Sequence, residues 1–369
     1  MIFFDVTKSS SAGHRSGLTR VNSRLREELG AALVPVAWPE WDRAVGKSDW
    51  FFTTELFSED ERPGFREFVL GRSCRCAAIF HDAIPLKHPH ITWPRSVARH
   101  PGYLKILSAF DCVWANSAAS REELLGFWRW QGIAAPPPVE VLPLGADFDR
   151  TPRSGTRGGQ VDDKADATTR RVPLEIRGKD TASTFLTPSL ICVGILEPRK
   201  NQSFLLDVCA ELWAGGVAFD LHLVGRANPH FGAPIVAKIE ELRRRWPGLH
   251  HHAGAGDADL AQLFSAARAT VFPTIAEGSG LPLLESLWKG VPCVGSDLPA
   301  LRENAAAGGC LLVAPSDAAA WKSALHRILT DDAFHTRLVA EAGLRPLPTW
   351  ADAAGKLRAG LAGGFAKAV

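Results

Sequence analysis

Short apolar runs alternate with amphipathic stretches along almost the whole chain, and few folds satisfy that alternation. Ile2–Val6, Val34–Ala37, Cys76–Phe80 and Cys112–Ala115 are mostly apolar and bounded by polar or turn residues, the signature of strands buried on both faces. Leu18–Leu29 and Ala118–Trp128 carry helical periodicity between them, and Ser117 is placed to cap the second helix. Strands that alternate with helices predict parallel sheets with right-handed crossovers.

The pattern breaks once, over residues 151–183. This stretch is Gly-rich and charged, with Asp162, Asp163 and Asp166 close together and almost no large apolar side chain. It lacks the apolar surface to offset the entropy of ordering, so it reads as a mobile interdomain insertion. The alternation then resumes. Ser189–Val193, Leu221–Val224, Ala269–Phe272, Val291–Gly295 and Leu311–Val313 read as strands, and Ser203–Leu212, Ile235–Trp246 and Pro282–Lys289 as helices. The expected fold class is α/β, with two Rossmann-like parallel-sheet domains facing each other across a deep cleft. The boundaries read as 1–150 for a first, acceptor-side domain, 151–183 for the insertion and 184–345 for a nucleotide-binding domain. Residues 346–369 form a last helix that returns toward the first domain. In such folds ligands sit at the carboxyl ends of strands, so the cleft is the expected site.

Composition narrows the classes of function. With 42 Lys+Arg against 40 Asp+Glu the chain is too near neutrality to be built for nucleic acid. The seven cysteines are odd in number and scattered through apolar runs, which fits reduced thiols rather than a disulfide framework. No stretch approaches the roughly 20 apolar residues of a membrane span. The expected location is the cytoplasm, with peripheral contact at the inner membrane surface compatible with the sequence.

Four constellations carry chemistry. The densest runs from Ala269 to Glu285, where a buried strand enters the turn Glu277-Gly278-Ser279-Gly280 and a helix starts at Leu281-Pro282. Free N–H groups and the positive end of the helix dipole suit a phosphate or a polarised sugar oxygen. Glu277 and Glu285 can each accept from a diol, one on a sugar and one on a ribose. The same segment is also what an ordinary helix start with surface carboxylates looks like. The second is Gly194 to Asn201, where a strand end and a glycine precede Arg199 and Lys200, a fork and a point charge suited to a diphosphate. The third is His81-Asp82, with His81 read as a donor to a sugar hydroxyl and Asp82 as the group that orients it. The fourth is Gly17-Leu18-Thr19-Arg20 after a Ser-rich loop, where Gly17 permits close approach to a ligand. Taken singly, the last three also fit ordinary loops.

Together they resemble the family 4 retaining glycosyltransferases of the GT-B fold. Glu277 and Glu285 look like that family's paired-glutamate signature, Gly194 to Asn201 like its phosphate loop, and His81-Asp82 like its histidine-aspartate pair. Phe4 to Thr7 with Gly17 to Arg20 is similar to its opening, and Val141 to Asp147 to the segment leading out of the first domain. The resemblance implies that Arg199 and Lys200 neutralise a diphosphate leaving group. It places the donor sugar on Glu277, with Gly194, Gly278, Ser279, Gly280, Leu281 and Pro282 around it, and the ribose on Glu285. His81 would meet the sugar from the facing domain, with Gly17, Arg20 and Asp82 on the acceptor and phosphate side. Ser279 stands where the family usually has phenylalanine, and no second glycine directly precedes Gly17.

The implied reaction moves a sugar, mannose as the first expectation, from a nucleotide-sugar to a glycan or lipid-linked acceptor in O-antigen, capsule or exopolysaccharide assembly. GDP-mannose is the expected donor, with UDP- and dTDP-sugars as alternatives. No cofactor or metal is expected, because Arg199 and Lys200 already serve the phosphates. Asp147-Phe148-Asp149 and Asp257-Ala258-Asp259 are read as loop residues and His250-His251-His252 as a strand edge. Trp38, Trp41 and Trp93 are candidates to stack on an acceptor sugar. The rival readings are another GT-B enzyme, an epimerase or phosphorylase, and a non-catalytic nucleotide-sugar-binding partner in a polysaccharide complex. A dinucleotide fingerprint is excluded at Gly278-Ser279-Gly280, where Leu283 stands in the third glycine's place.

Overall fold

The computed structural model describes residues 1–10, 17–38, 45–148, 153 and 187–363. The first sheet is built from β1 (Ile2–Asp5), β2 (Leu33–Val36), β3 (Trp50–Thr53), β4 (Arg75–Phe80), β5 (Cys112–Ala115) and β6 (Val139–Val141). The second contains β7 (Ser189–Val193), β8 (Asp220–Val224), β9 (Leu249–His252), β10 (Ala269–Phe272), β11 (Cys293–Ser296) and β12 (Cys310–Val313). Their orders are β2-β1-β3-β4-β5-β6 and β12-β11-β10-β7-β8-β9, and every pairing is parallel.

Burial on both faces explains the continuous apolar runs. Successive side chains on a strand point to opposite faces. Phe4, Phe52, Ile79 and Trp114 therefore enter one core, with Leu25 and Leu29 of the helix Gly17–Leu29. Their neighbours Phe3, Phe51, Phe80 and Val113 enter another, beneath Phe65, Leu104 and Leu124. In the second sheet Leu190, Leu221, Leu223 and Val271 pack under Leu205 and Leu325.

The strand orders fix where ligands can enter. The chain leaves β9 at one edge of the second sheet and returns to place β10 on the other side of β7, so the loops after β7 and β10 diverge. The same reversal occurs in the first sheet between β1 and β3. Such switch points open a crevice at the carboxyl ends of the strands.

The last described helix, Trp350–Gly363, leaves the second domain and completes the first. Trp350, Leu357 and Leu361 share the core of Phe4 and Leu25, and the Trp50 indole donates to the Leu361 carbonyl at 2.9 Å. Asp147 accepts from the Trp350 backbone N–H at 2.7 Å, and Gly145 lies so close that a Cβ would fall 2.3 Å from that nitrogen. Asp147 is thus a structural cap on this helix. Asp257 and Asp259, read as loop residues, lie in the first turn of the helix Asp257–Ala266, where Asp259 accepts from the Gly256 N–H. Asp149, Trp41 and the 151–183 insertion apart from Arg153 lie outside the described residues.

Leu357 is fully buried in the first domain's core although it stands near the end of the chain. Leu357→Ala is expected to destabilise the protein by about 2–5 kcal/mol through lost burial and a residual cavity. Urea unfolding followed by tryptophan fluorescence checks this, and an unchanged midpoint would contradict the packing.

Candidate active site

The switch point of the second sheet carries the charged centre. After β7, Pro198–Lys200 form one 3-10 turn that ends at Asn201 in the left-handed region (φ 57°), a conformation asparagine tolerates. That turn aims Arg199 and Lys200 toward the loop after β10. There one oxygen of Glu277 accepts from Lys200 Nζ at 2.6 Å, Arg199 Nη1 at 2.9 Å and Thr274 Oγ1 at 2.8 Å. Burial alone would raise the Glu277 carboxyl, but the charges of Lys200 and then Arg199 outweigh it and hold it below the usual range. Burial pulls the Lys200 ammonium down, and Glu277 offsets part of that. A carboxylate and two cations thus face a cleft of about 1820 Å³ lined by both domains.

The turn that follows meets the first domain. A Cβ on Gly278 would lie 2.2 Å from the His81 carbonyl oxygen, so only glycine fits. The Gly278 carbonyl accepts from Ser117 Oγ at 2.6 Å and from Ser120 Oγ at 3.1 Å. Ser117 also caps the helix Ala118–Trp130, accepting from the Ser120 N–H. Glu303 of the second domain receives the Ala118 and Ala119 N–H groups at 2.8 Å each. Gly280, with φ 80°, turns the chain into the helix Leu281–Trp288, with Pro282 in its first turn. The Ser279 carbonyl is held by Asn304.

Glu285 lies one turn into that helix, buried, and pairs across the cleft with Arg20 at 2.6 Å. Burial pushes the Glu285 carboxyl up, and Arg20 offsets part of the shift. The Arg20 guanidinium also stacks 3.6 Å from the Phe148 ring. Gly17 opens the same helix as Arg20 and lines the cleft.

His81 departs from its expected chemistry. Its Nε2 lies 2.8 Å from the Thr54 carbonyl, which can only accept, so Nε2 carries the proton. Burial holds the ring's pKa down, against the opposing effects of that carbonyl and Asp82. A neutral ring bound this way leaves Nδ1 as an acceptor and has no second N–H to donate. Thr54, not Asp82, orients the ring; Asp82 Oδ1 instead accepts from the Ile84 N–H. Of the candidate tryptophans, Trp38 donates its indole N–H to the Pro63 carbonyl and packs edge-on against Phe65 and Phe68, whereas Trp93 is half exposed, lines the cleft and has the His230 ring of the second domain stacked on one face at 5.0 Å.

The sequence reading missed Thr274, Ser117, Ser120 and Gly225. Gly225 ends β8 where a Cβ would lie 2.1 Å from the Gly194 carbonyl oxygen, so it lets the β7 and β8 ends converge. A glycine directly after an apolar strand was the available signal for it. Ser117 was legible only as a helix cap; the bonds of both serines to Gly278 were not, because that carbonyl lies 161 and 158 residues away.

Burial lowers the pKa of His81 and His100 from 6.5, and His88, His222, His252 and His335 move the same way. Below that value the unfolded chain binds protons that the folded chain refuses, so stability rises with pH and falls on acidification. The unfolding free energy is expected to drop between about pH 7.5 and about pH 5.5. Urea titrations at both values check it; a flat or rising stability on acidification would contradict the buried neutral rings.

Comparison with known proteins agrees with this geometry. Residues 187–331 match the family described as glycosyl transferases group 1. The serotype-specific mannosyltransferase WbdA of Escherichia coli is 29% identical over 240 residues, covering 62% of this chain and 26% of that protein. The O-antigen chain mannosyltransferase B of Escherichia coli is 32% identical over 143 residues, covering 38% of this chain and 37% of that one. The matches therefore span only 26% and 37% of the length of these relatives. The structure of WaaG, a glycosyltransferase involved in lipopolysaccharide biosynthesis, superimposes with a TM-score of 0.66 at 14% identity, over 99% of this chain and 100% of that one. At that identity the likeness speaks for the fold. Residues 187–331 are thus similar to the glycosyl transferases group 1 family, and the chain as a whole has the two-domain GT-B fold.

Proposed function

We propose that this chain transfers a hexosyl group, mannose in the first instance, from a nucleoside-diphosphate sugar to a glycan or lipid-linked acceptor with retention of configuration. The observation that carries the proposal is the convergence of Arg199, Lys200 and Glu277 at the β7/β10 switch point, facing His81 of the other domain. A diphosphate would take the two cations, and Glu277, released from them, would accept from hydroxyls of the donor sugar. Glu285 would receive the ribose diol in place of Arg20, and His81 Nδ1 would accept from a sugar hydroxyl. The matched relatives named as mannosyltransferases, one of them of the O-antigen chain, support a mannosyl donor such as GDP-mannose, ahead of UDP- and dTDP-sugars.

In this reading the bond from the anomeric carbon to the β-phosphate oxygen breaks while the acceptor oxygen attacks on the same face. The acceptor proton passes to the departing phosphate oxygen. Protein cations stabilise the charge that develops there, so no divalent cation is needed at the phosphates. Catalysis rests on positioning and charge, without a covalent nucleophile.

A panel of nucleotide-sugars with lipid-linked oligosaccharide acceptors, with product linkage and anomeric configuration read by NMR, tests the proposal. Lys200→Ala is expected to lower turnover by about 100-fold or more, as for loss of a transition-state charge contact. Near-normal transfer in that variant would remove Lys200 from its role. Donor binding without turnover by the wild-type protein would favour a non-catalytic binding partner.

A further inference from the structure

β8 and β9 are the outermost pair at one edge of the second sheet. They run parallel with His222 opposite His250 and Val224 opposite His252. Residues two apart on a strand share a face. Asp220, His222, His250 and His252 therefore stand together on one face, while Leu221, Leu223 and Leu249 enter the core on the other. The His222 and His250 rings stack at 4.7 Å with 15° between their planes. His222 Nδ1 lies 3.0 Å from His252 Nε2, and His250 Nε2 lies 3.6 Å from Asp220 Oδ1. One ligating atom from each of Asp220, His222 and His250 falls within 4.8 Å of the others. Gly248 contributes to this closeness, since a Cβ there would sit 2.8 Å from Asp220 Oδ1. His251, between the two clustered histidines in sequence, points away and reaches the Gly225 carbonyl at 2.9 Å.

We propose that Asp220, His222 and His250 bind a divalent transition-metal ion, Zn²⁺ in the first instance, with His252 positioned as a further ligand. The donor set selects the metal. Imidazoles with one carboxylate suit zinc, whereas Mg²⁺ and Ca²⁺ require mostly oxygen ligands. The ion would fasten the short edge strand β9 to β8 through side chains as well as backbone. The segment after β9 lines the cleft at Ala253, Ala255 and Asp257, so the ion would also steady that wall. Its role is structural, and none of its three core ligands belongs to the set assigned to the donor. Read as sequence, His250-His251-His252 is only a strand edge; the pairing with β8 is what adds two more ligands to it.

The test uses the untagged full-length protein, stripped with a chelator and titrated calorimetrically with zinc chloride and, in parallel, magnesium chloride. The proposal expects saturable binding of one zinc ion per chain at micromolar or tighter affinity and no saturable magnesium binding. His222→Gln and His250→Gln should each weaken zinc binding by at least about tenfold, and His251→Gln should leave it unchanged. Asp220→Asn, a nearly isosteric change, tests the same site if a histidine variant folds poorly. Zinc should raise the thermal midpoint of the wild-type protein and not that of the Asp220→Asn protein. Absence of saturable zinc binding would overturn the proposal. So would zinc binding of equal strength in the wild-type, His222→Gln and His250→Gln proteins, or equal loss in His251→Gln.

Discussion

One oxygen of Glu277 holds two cations and a hydroxyl at the largely buried wall of the cleft. Partly removing these charges from solvent is costly, and Glu197, paired with Arg199 at 2.9 Å, supplies the second negative charge that balances the two cations. The arrangement depends on the sheet: β7 and β10 are neighbours in space, so the loop with Arg199 and Lys200 and the loop with Glu277 emerge side by side. Thr274 and the turn ending at Asn201 then fix the side chains. The result is a pair of cations at the cleft wall, with Glu277 as the counter-ion of both and Glu197 as a second partner of Arg199.

The same loop closes the gap between domains. Gly278 lets the His81 carbonyl approach where any side chain would collide, and Ser117 and Ser120 hold the Gly278 carbonyl. Glu303 meets the start of the first-domain helix, where the dipole favours a negative charge, and Arg20 reaches Glu285 from the same side. These contacts bring His81 and the charged centre to opposite walls of one cleft. The helix Trp350–Gly363 adds a second tie by completing the core of the domain that the chain left at Asp147.

Much of this was legible in the residues. The apolar runs around β1, β4, β5, β7 and β10 are buried on both faces and announced themselves as such. Val139–Val141 did not, being only three residues long, nor did Leu249–His252, which is largely polar because it forms a sheet edge; Trp50–Thr53 is as apolar and as buried as β5 and was overlooked. Arg199, Lys200, Glu277 and Glu285 stood out through their spacing from strand ends. What they touch did not, since the partner of Glu285 lies 265 residues away and no local pattern encodes that pairing. His81 was visible, but its role as an acceptor depends on the Thr54 carbonyl, which only the fold brings near. The cluster of Asp220, His222 and His250 was likewise invisible until β8 and β9 were paired.

The central claim is that Glu277 is a counter-ion in the free protein and a sugar ligand in the reacting complex. Comparing GDP binding and mannosyl transfer in Glu277→Gln tests it most directly, because the two roles respond oppositely. Without the carboxylate, Lys200 loses its ion-pair partner while Arg199 keeps Glu197, so GDP affinity should be preserved or improved while transfer falls by about 100-fold or more. If GDP affinity instead collapses, Glu277 is holding the cations in place and not standing in for the diphosphate, and the account is wrong at its centre.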